Sequence, residues 1–168
     1  SISIINSLSN TPITYDELFA SETIHQTKWT QPALFIIEYA LAHLFIDFGI
    51  KPDLMIGHSL GEYVAACLAG VFSLKDALRI VIKRGQLIQS INAGKMLAVQ
   101  ASSDKIFMSI HELHLDIAAV NLDGTCVVSG NAENIDQLQA ELKTKGIESK
   151  LLNVSHAFHS LMMDPVLN

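Results

Sequence analysis

The stretch Asp53–Gly70, DLMIGHSLGEYVAACLAG, constrains the fold more than any other part of the chain. Leu54-Met55-Ile56 is short, apolar and bounded by turn residues, the pattern of a parallel strand buried on both faces. Gly57 and Gly61 bracket Ser59 as G-x-S-x-G, and a helical pattern follows at once. A sharp strand-to-helix reversal around a serine leaves little room for side chains, so both glycines are expected to be sterically required. Such a turn lifts the Ser59 hydroxyl above a helix N-terminus, where free N–H groups and the positive dipole end favour a developing anion. The Leu60 N–H is the natural half of an oxyanion hole. Ser59-Leu60-Gly61-Glu62 also reads as an S-x-x-E capping box. Capping alone explains neither the paired glycines nor the apolar run, so Ser59 reads as a nucleophile.

With 168 residues, 49% hydrophobic and 17% charged, the chain has enough apolar material for about one well-buried domain. A net charge of -6 with scattered Lys and Arg argues against nucleic-acid binding. The most apolar segment, Pro32 to Ile50, carries Glu38, His43 and Asp47, so no membrane span is expected. Cys67 and Cys126 sit in apolar stretches and read as core thiols of a reducing, cytoplasmic compartment, not as a disulfide or metal framework. No signal peptide opens the chain, which begins without methionine and is expected to be part of something longer.

Residues 1–30 are polar and weakly patterned, and short helical turns are expected there. Gln31 and Pro32 are expected to open a helix ending at Gly49, with Pro32 in its first turn. Apolar residues cover most of its circumference, which predicts packing on more than one side. A further helix starts at Ser73, and its inner face runs through Leu74, Ala77, Leu78, Val81 and Ile88. Arg84 falls on that face. A buried arginine needs either an internal carboxylate or an anionic ligand, for which its planar fork is suited, and the sequence leaves both open.

From Gly94 the texture changes. Strands are expected at 95–101, 116–120, 126–129 and 148–154, and helices at 104–113 and 132–145, with a Asp123-Gly124 turn joining the middle strands. That β-α-β-β-α-β order is ferredoxin-like. The expected architecture is therefore α/β: a hydrolase-like parallel sheet with a nucleophile elbow over 1–93, an inserted small lobe over 94–154, and a return to the large lobe over 155–168. The returning segment is Ser155-His156-Ala157-Phe158-His159-Ser160. H-x-x-H is a metal-ligand spacing, but no third ligand supports it, so no metal is expected. One of the two histidines instead reads as the general base for Ser59.

GHSLGEYVAACLAGVFSLKDALRIV, Arg84-Gly85, AAVN at 118–121, VVSG at 127–130 and SHAFHS at 155–160 together resemble the acyltransferase domain of polyketide synthases. Malonyl-CoA:acyl-carrier-protein transacylases of fatty-acid synthesis are close relatives of that family. The resemblance covers roughly Gln31 to Pro165. It implies that Ser59 takes an acyl group from coenzyme A, that His159 and not His156 is the base, and that Arg84 pairs with the carboxylate of a malonyl unit. It implies oxyanion binding by the Leu60 N–H, and an acyl pocket lined by Gln31, His58 and Asn121. His156 lies in the same HAFH stretch beside the substrate. Phe158 matches the position that tunes extender choice: HAFH resembles malonyl-selective members, whereas YASH marks methylmalonyl users. A bulky ring there discriminates one methyl by about 1–3 kcal/mol.

The implied reaction is ping-pong transfer from malonyl-CoA through an acyl-serine to the phosphopantetheine thiol of an acyl carrier protein, with no bound cofactor. Neighbouring synthase domains such as a ketosynthase are the implied partners. One departure stands out: the family's second oxyanion donor, a glutamine in a Gly-rich segment, has no counterpart in residues 1–30, so the chain is expected to be the central part of a domain. Two rival readings are a serine esterase or thioesterase, with Asp116 or Asp136 as the acid, and a non-catalytic synthase fragment. Arg84, useless for a neutral ester, weighs against the first.

Overall fold

A computed structural model of the chain describes residues 2–8, 12–20 and 24–167. They form two compact units, Ser1–Gln89 and Ser90–Asn168.

Among the described residues, the only regular secondary structure of the first unit is helical. Helices α1 (Ile2–Leu8) and α2 (Tyr15–Phe19) are short. The Asn6 carboxamide accepts from the Ile13 N–H at 2.8 Å and donates to its carbonyl at 2.9 Å, tying the connection to α1. Thr14 and Glu17 form a capping box on α2. Helix α3 (Thr27–Asp47) starts one turn earlier than Pro32 suggests, because burying Thr27 and Trp29 extends it. Pro32 is therefore inside the helix, where it gives up one backbone hydrogen bond. Helices α4 (Gly61–Leu68) and α5 (Leu74–Gln89) complete the unit. A Cβ on Gly85 would meet the Thr27 carbonyl at 3.0 Å and Lys28 Cα at 3.1 Å, so this glycine sets how closely α5 crosses the start of α3. Phe35, Ala33, Leu78 and Val81 fill the core between these helices.

Two expectations fail in this unit. Leu54, Met55 and Ile56 form no strand, and Leu54 and Ile56 are each 93% exposed. A parallel strand exists only through hydrogen bonds to neighbouring strands, and among the described residues the unit has none. The hydrolase-like parallel sheet is thus not formed here. For the same reason α3 packs on one side only over its second half: Ile37, Leu41, Leu44 and Phe45 remain about half exposed.

The second unit holds an antiparallel sheet with strands β1 (Lys95–Val99), β2 (Asp116–Leu122), β3 (Thr125–Gly130) and β4 (Ser149–Leu151) in the order β2-β3-β1-β4. Helices α6 (Ser103–Glu112) and α7 (Ala132–Thr144) supply the crossovers, so the element order is the expected β-α-β-β-α-β. Alternation built it. Leu97 pairs with Val128 and Val99 with Cys126 in register, and these four side chains bury one sheet face against Ile106, Ile110, Ile135, Leu138 and Leu142. The Asp123-Gly124 turn closes the hairpin with Gly124 at φ 78°, and the Asn131 side chain caps α7. Ser155 and Leu161 attach the last segment to this same unit: the Ser155 carbonyl accepts from the Gly94 N–H, and the Leu161 N–H donates to Asp116 Oδ2. Cys67 and Cys126 are buried free thiols whose pKa burial pushes up. No helix among the described residues is long and apolar enough to cross a membrane.

Candidate active site

Ser59 has φ 52°, a left-handed conformation that non-glycine residues rarely hold without a reason. The Gly61 N–H donates to the His58 carbonyl at 3.0 Å and the Glu62 N–H to the Ser59 carbonyl at 3.2 Å, so the chain turns into α4 immediately after the serine. The cap residue is Leu60, which gives no side-chain cap bond. Glu62 does not reach back to Ser59 as a capping box requires; its Oε1 accepts from the Gly57 N–H at 2.9 Å and clips the turn shut.

The two glycines are not equivalent. A Cβ on Gly57 would lie 2.1 Å from both the Glu62 nitrogen and the Gly61 carbonyl carbon, a hard clash. On Gly61 it would meet only Glu38 Oε2, at 3.9 Å. Among the described residues, therefore, only Gly57 is sterically required, because the bend brings the following helix back over position 57 and not over 61. Glu38 itself carries a carboxyl whose pKa is raised by desolvation.

Leu60 is buried, and its N–H donates to no acceptor among the described residues. It is thus available to an oxyanion at the head of α4. His58 is exposed. On α3, Gln31 is 6% exposed, yet among the described residues neither its amide nitrogen nor its amide oxygen has a partner. An unpaired buried carboxamide costs stability, and proteins hold such groups chiefly where something else binds them.

Arg84 on α5 is half-buried between the buried residues Val81 and Gly85 and the exposed Lys83. Of the two partners open to it, the internal carboxylate is not there: among the described residues it forms no ion pair and no hydrogen bond. Its guanidinium carbon lies 6.0 Å from the centroid of the Tyr63 ring. Tyr63 and Glu62 are the residues sequence reasoning passed over. Glu62 was legible only as a cap, and contact between an arginine and a ring on separate helices leaves no periodic trace.

The remaining candidates belong to the second unit. Asn121 is exposed on β2. His156 is 2% exposed, with Nδ1 2.8 Å from Ser155 Oγ, and its ring is tilted against Phe158. Burial pushes its pKa down, opposed in part by a hydrogen bond to the Ile91 backbone. His159, by contrast, is exposed and adopts φ 58°. The next residue fixes that turn, since Ser160 Oγ donates to the Ala157 carbonyl at 2.6 Å and accepts from the Met162 N–H at 3.3 Å.

Comparison with known proteins gives one consistent answer. The acyl transferase domain family matches residues 2–168. Polyketide synthase GfsA of Streptomyces halstedii is 42% identical over 149 residues, which make up 86% of this chain and 2% of that protein. Among solved structures, the acyltransferase domain from the second module of the salinomycin polyketide synthase superposes with a TM-score of 0.87 at 38% identity, covering 98% of this chain and 40% of that one. The malonyl CoA-acyl carrier protein transacylase from Burkholderia pseudomallei gives a TM-score of 0.84 at 29% identity, covering 98% of this chain and 59% of that one.

Proposed function

Because the chain belongs to the acyl transferase domain family, we propose that it carries the nucleophile and carboxylate clamp of a malonyl-transferring acyltransferase in polyketide or fatty-acid synthesis. The observation that carries the reading is Ser59 at φ 52°, on a clipped turn at the head of α4 with the Leu60 N–H open beside it. That is what a nucleophile elbow needs: a serine on a sharp turn, beside a ready-made anion site.

In this mechanism His159 takes the Ser59 proton as the oxygen attacks the thioester carbonyl of malonyl-CoA. The oxyanion is held by the Leu60 N–H, and the coenzyme A thiol leaves with the proton from His159. The phosphopantetheine thiol of an acyl carrier protein then attacks the malonyl-serine through the same groups, regenerating Ser59. His159 is supported as the base by its exposure, whereas the His156 ring is buried beside Ser155 Oγ, which suits a structural part. Arg84, with no internal carboxylate, is free to pair with the malonyl carboxylate and give both position and selectivity. The unpaired Gln31 amide faces the same task at the acyl pocket, with His58 and Asn121 as further lining. Phe158, its ring against His156, restricts the space at the α-carbon.

The fuller architecture follows from the same reading. In that reading residues 1–93 belong to a large lobe and 94–154 to an inserted small one; residues 155–168, assigned by sequence to the large lobe, are hydrogen-bonded to the second unit through Ser155 and Leu161. Leu54–Ile56 become a strand where other strands of the large lobe pair with them; their exposure in this chain is what an unpaired core strand looks like. Neighbouring domains such as a ketosynthase, in the cytoplasm, are the proposed setting.

The test offers malonyl-, methylmalonyl- and acetyl-CoA in competition, followed by a phosphopantetheinylated carrier protein. Preferential loading of malonyl that falls toward acetyl in Arg84→Ala, with discharge onto the carrier thiol, supports the proposal. Discharge to water alone identifies a hydrolase instead.

A further inference from the structure

We propose that Tyr63 is a positioning residue, holding the Arg84 guanidinium ready for the acyl carboxylate. This rests on the reading of Arg84 as that clamp, and extends it to a residue one helical turn beyond the nucleophile.

Tyr63 is in the first turn of α4, whose N-cap Leu60 directly follows Ser59. Its half-buried ring packs against the helical core, which fixes its plane. The guanidinium carbon of Arg84 lies 6.0 Å from the ring centroid, within range of attraction between a cation and the negative face of an aromatic ring. No other hydrogen bond or ion pair holds Arg84 among the described residues. The chemistry of the support matters. A carboxylate partner would neutralise the arginine and occupy its N–H fork before substrate arrived. An aromatic face restrains the same long side chain while leaving its charge and every N–H donor available. Tyr63 also belongs to the helix that begins two residues after Ser59, so the support for the clamp and the turn that presents the serine adjoin one element.

The experiment compares acylation rates with malonyl-CoA and acetyl-CoA in the full-length protein, for Tyr63→Leu, Tyr63→Phe, Arg84→Ala and the Tyr63→Leu/Arg84→Ala double variant. Tyr63→Leu lowers the malonyl-to-acetyl kcat/KM ratio about two- to fivefold, mainly through KM for malonyl-CoA. Tyr63→Phe, which keeps the ring, restores the ratio, and in the Arg84→Ala background the Leu substitution changes it no further. If Tyr63→Leu does not fold, Tyr63→Met fills the space without a ring and serves in its place. Equal loss on both thioesters, or an undiminished effect in the Arg84→Ala background, overturns the role of Tyr63. An unchanged ratio in Arg84→Ala alone overturns the clamp itself, and the proposal with it.

Discussion

The Gly57 N–H donates to the Glu62 carboxylate at 2.9 Å, so the turn that presents Ser59 is closed by a side chain of the helix it leads into. Closure brings the Glu62 nitrogen within 2.1 Å of where a Cβ on residue 57 would stand, and the bond and the glycine are therefore two parts of one device. Strain in the backbone of Ser59 is held in place by that device.

Substitutions at the two glycines are predicted to separate. Gly57→Ala forces the turn open and lowers the rate of Ser59 acylation by at least about 10²-fold, the scale expected when an oxyanion donor is misplaced. Gly61→Ala meets only a carboxylate oxygen at 3.9 Å and is much milder. Pre-steady-state acylation rates of the two variants make the comparison; equal losses contradict it.

Gln31→Leu is predicted to stabilise the protein while impairing it. The substitution removes a buried amide with no partner, worth about 1–3 kcal/mol, and shifts the thermal midpoint upward. The same change deletes a polar group from the proposed acyl pocket and is predicted to lower kcat/KM for malonyl-CoA. Calorimetry and acylation kinetics on one preparation read both effects.

The buried His156 predicts a loss of stability on mild acidification. Its folded pKa lies below the unfolded value of about 6.5, so the unfolded chain binds the proton first. Stability from this group is complete above about pH 6.5 and falls as pH drops toward the folded pKa. Urea midpoints measured down from pH 7.5 show this slope in the wild type, and a flatter profile in His156→Gln.

Glu141 predicts the opposite limb. Its carboxylate is held below the usual range by hydrogen bonds from Lys145 first and from Ser109 second, across α6 and α7. A depressed folded pKa contributes stability above the unfolded value of about 4.3, lost as pH falls through the folded one. Glu141→Gln is therefore less stable than wild type at pH 7, with the gap closing near pH 3 in thermal unfolding.

How much was legible in the sequence follows from how local each feature is. The second unit is written in short-range terms: two-residue alternation at Leu97 and Val99, the Asp123-Gly124 turn, and the Asn131 cap at the start of α7. Its strands find their partners nearby, and its order was read correctly. Leu54–Ile56 carry an equally plain strand pattern, but a strand exists only with partners, and the described residues of its unit supply none. The start of α3 was hidden because burial of Trp29 decided it, not a capping residue. Ser59 and Arg84 were visible as residue types at telling positions. That Arg84 lacks a carboxylate, that Glu62 clips Gly57, and that Gln31 is left unpaired depend on which side chains meet in space.

The most direct test of the account is to locate the acyl group. After brief incubation with malonyl-CoA, peptide mapping by mass spectrometry is predicted to find malonyl on the peptide carrying Ser59. The label is absent from Ser59→Ala and forms about 10²–10⁴-fold more slowly in His159→Gln. Malonyl on a different residue, or undiminished labelling of Ser59→Ala, contradicts it.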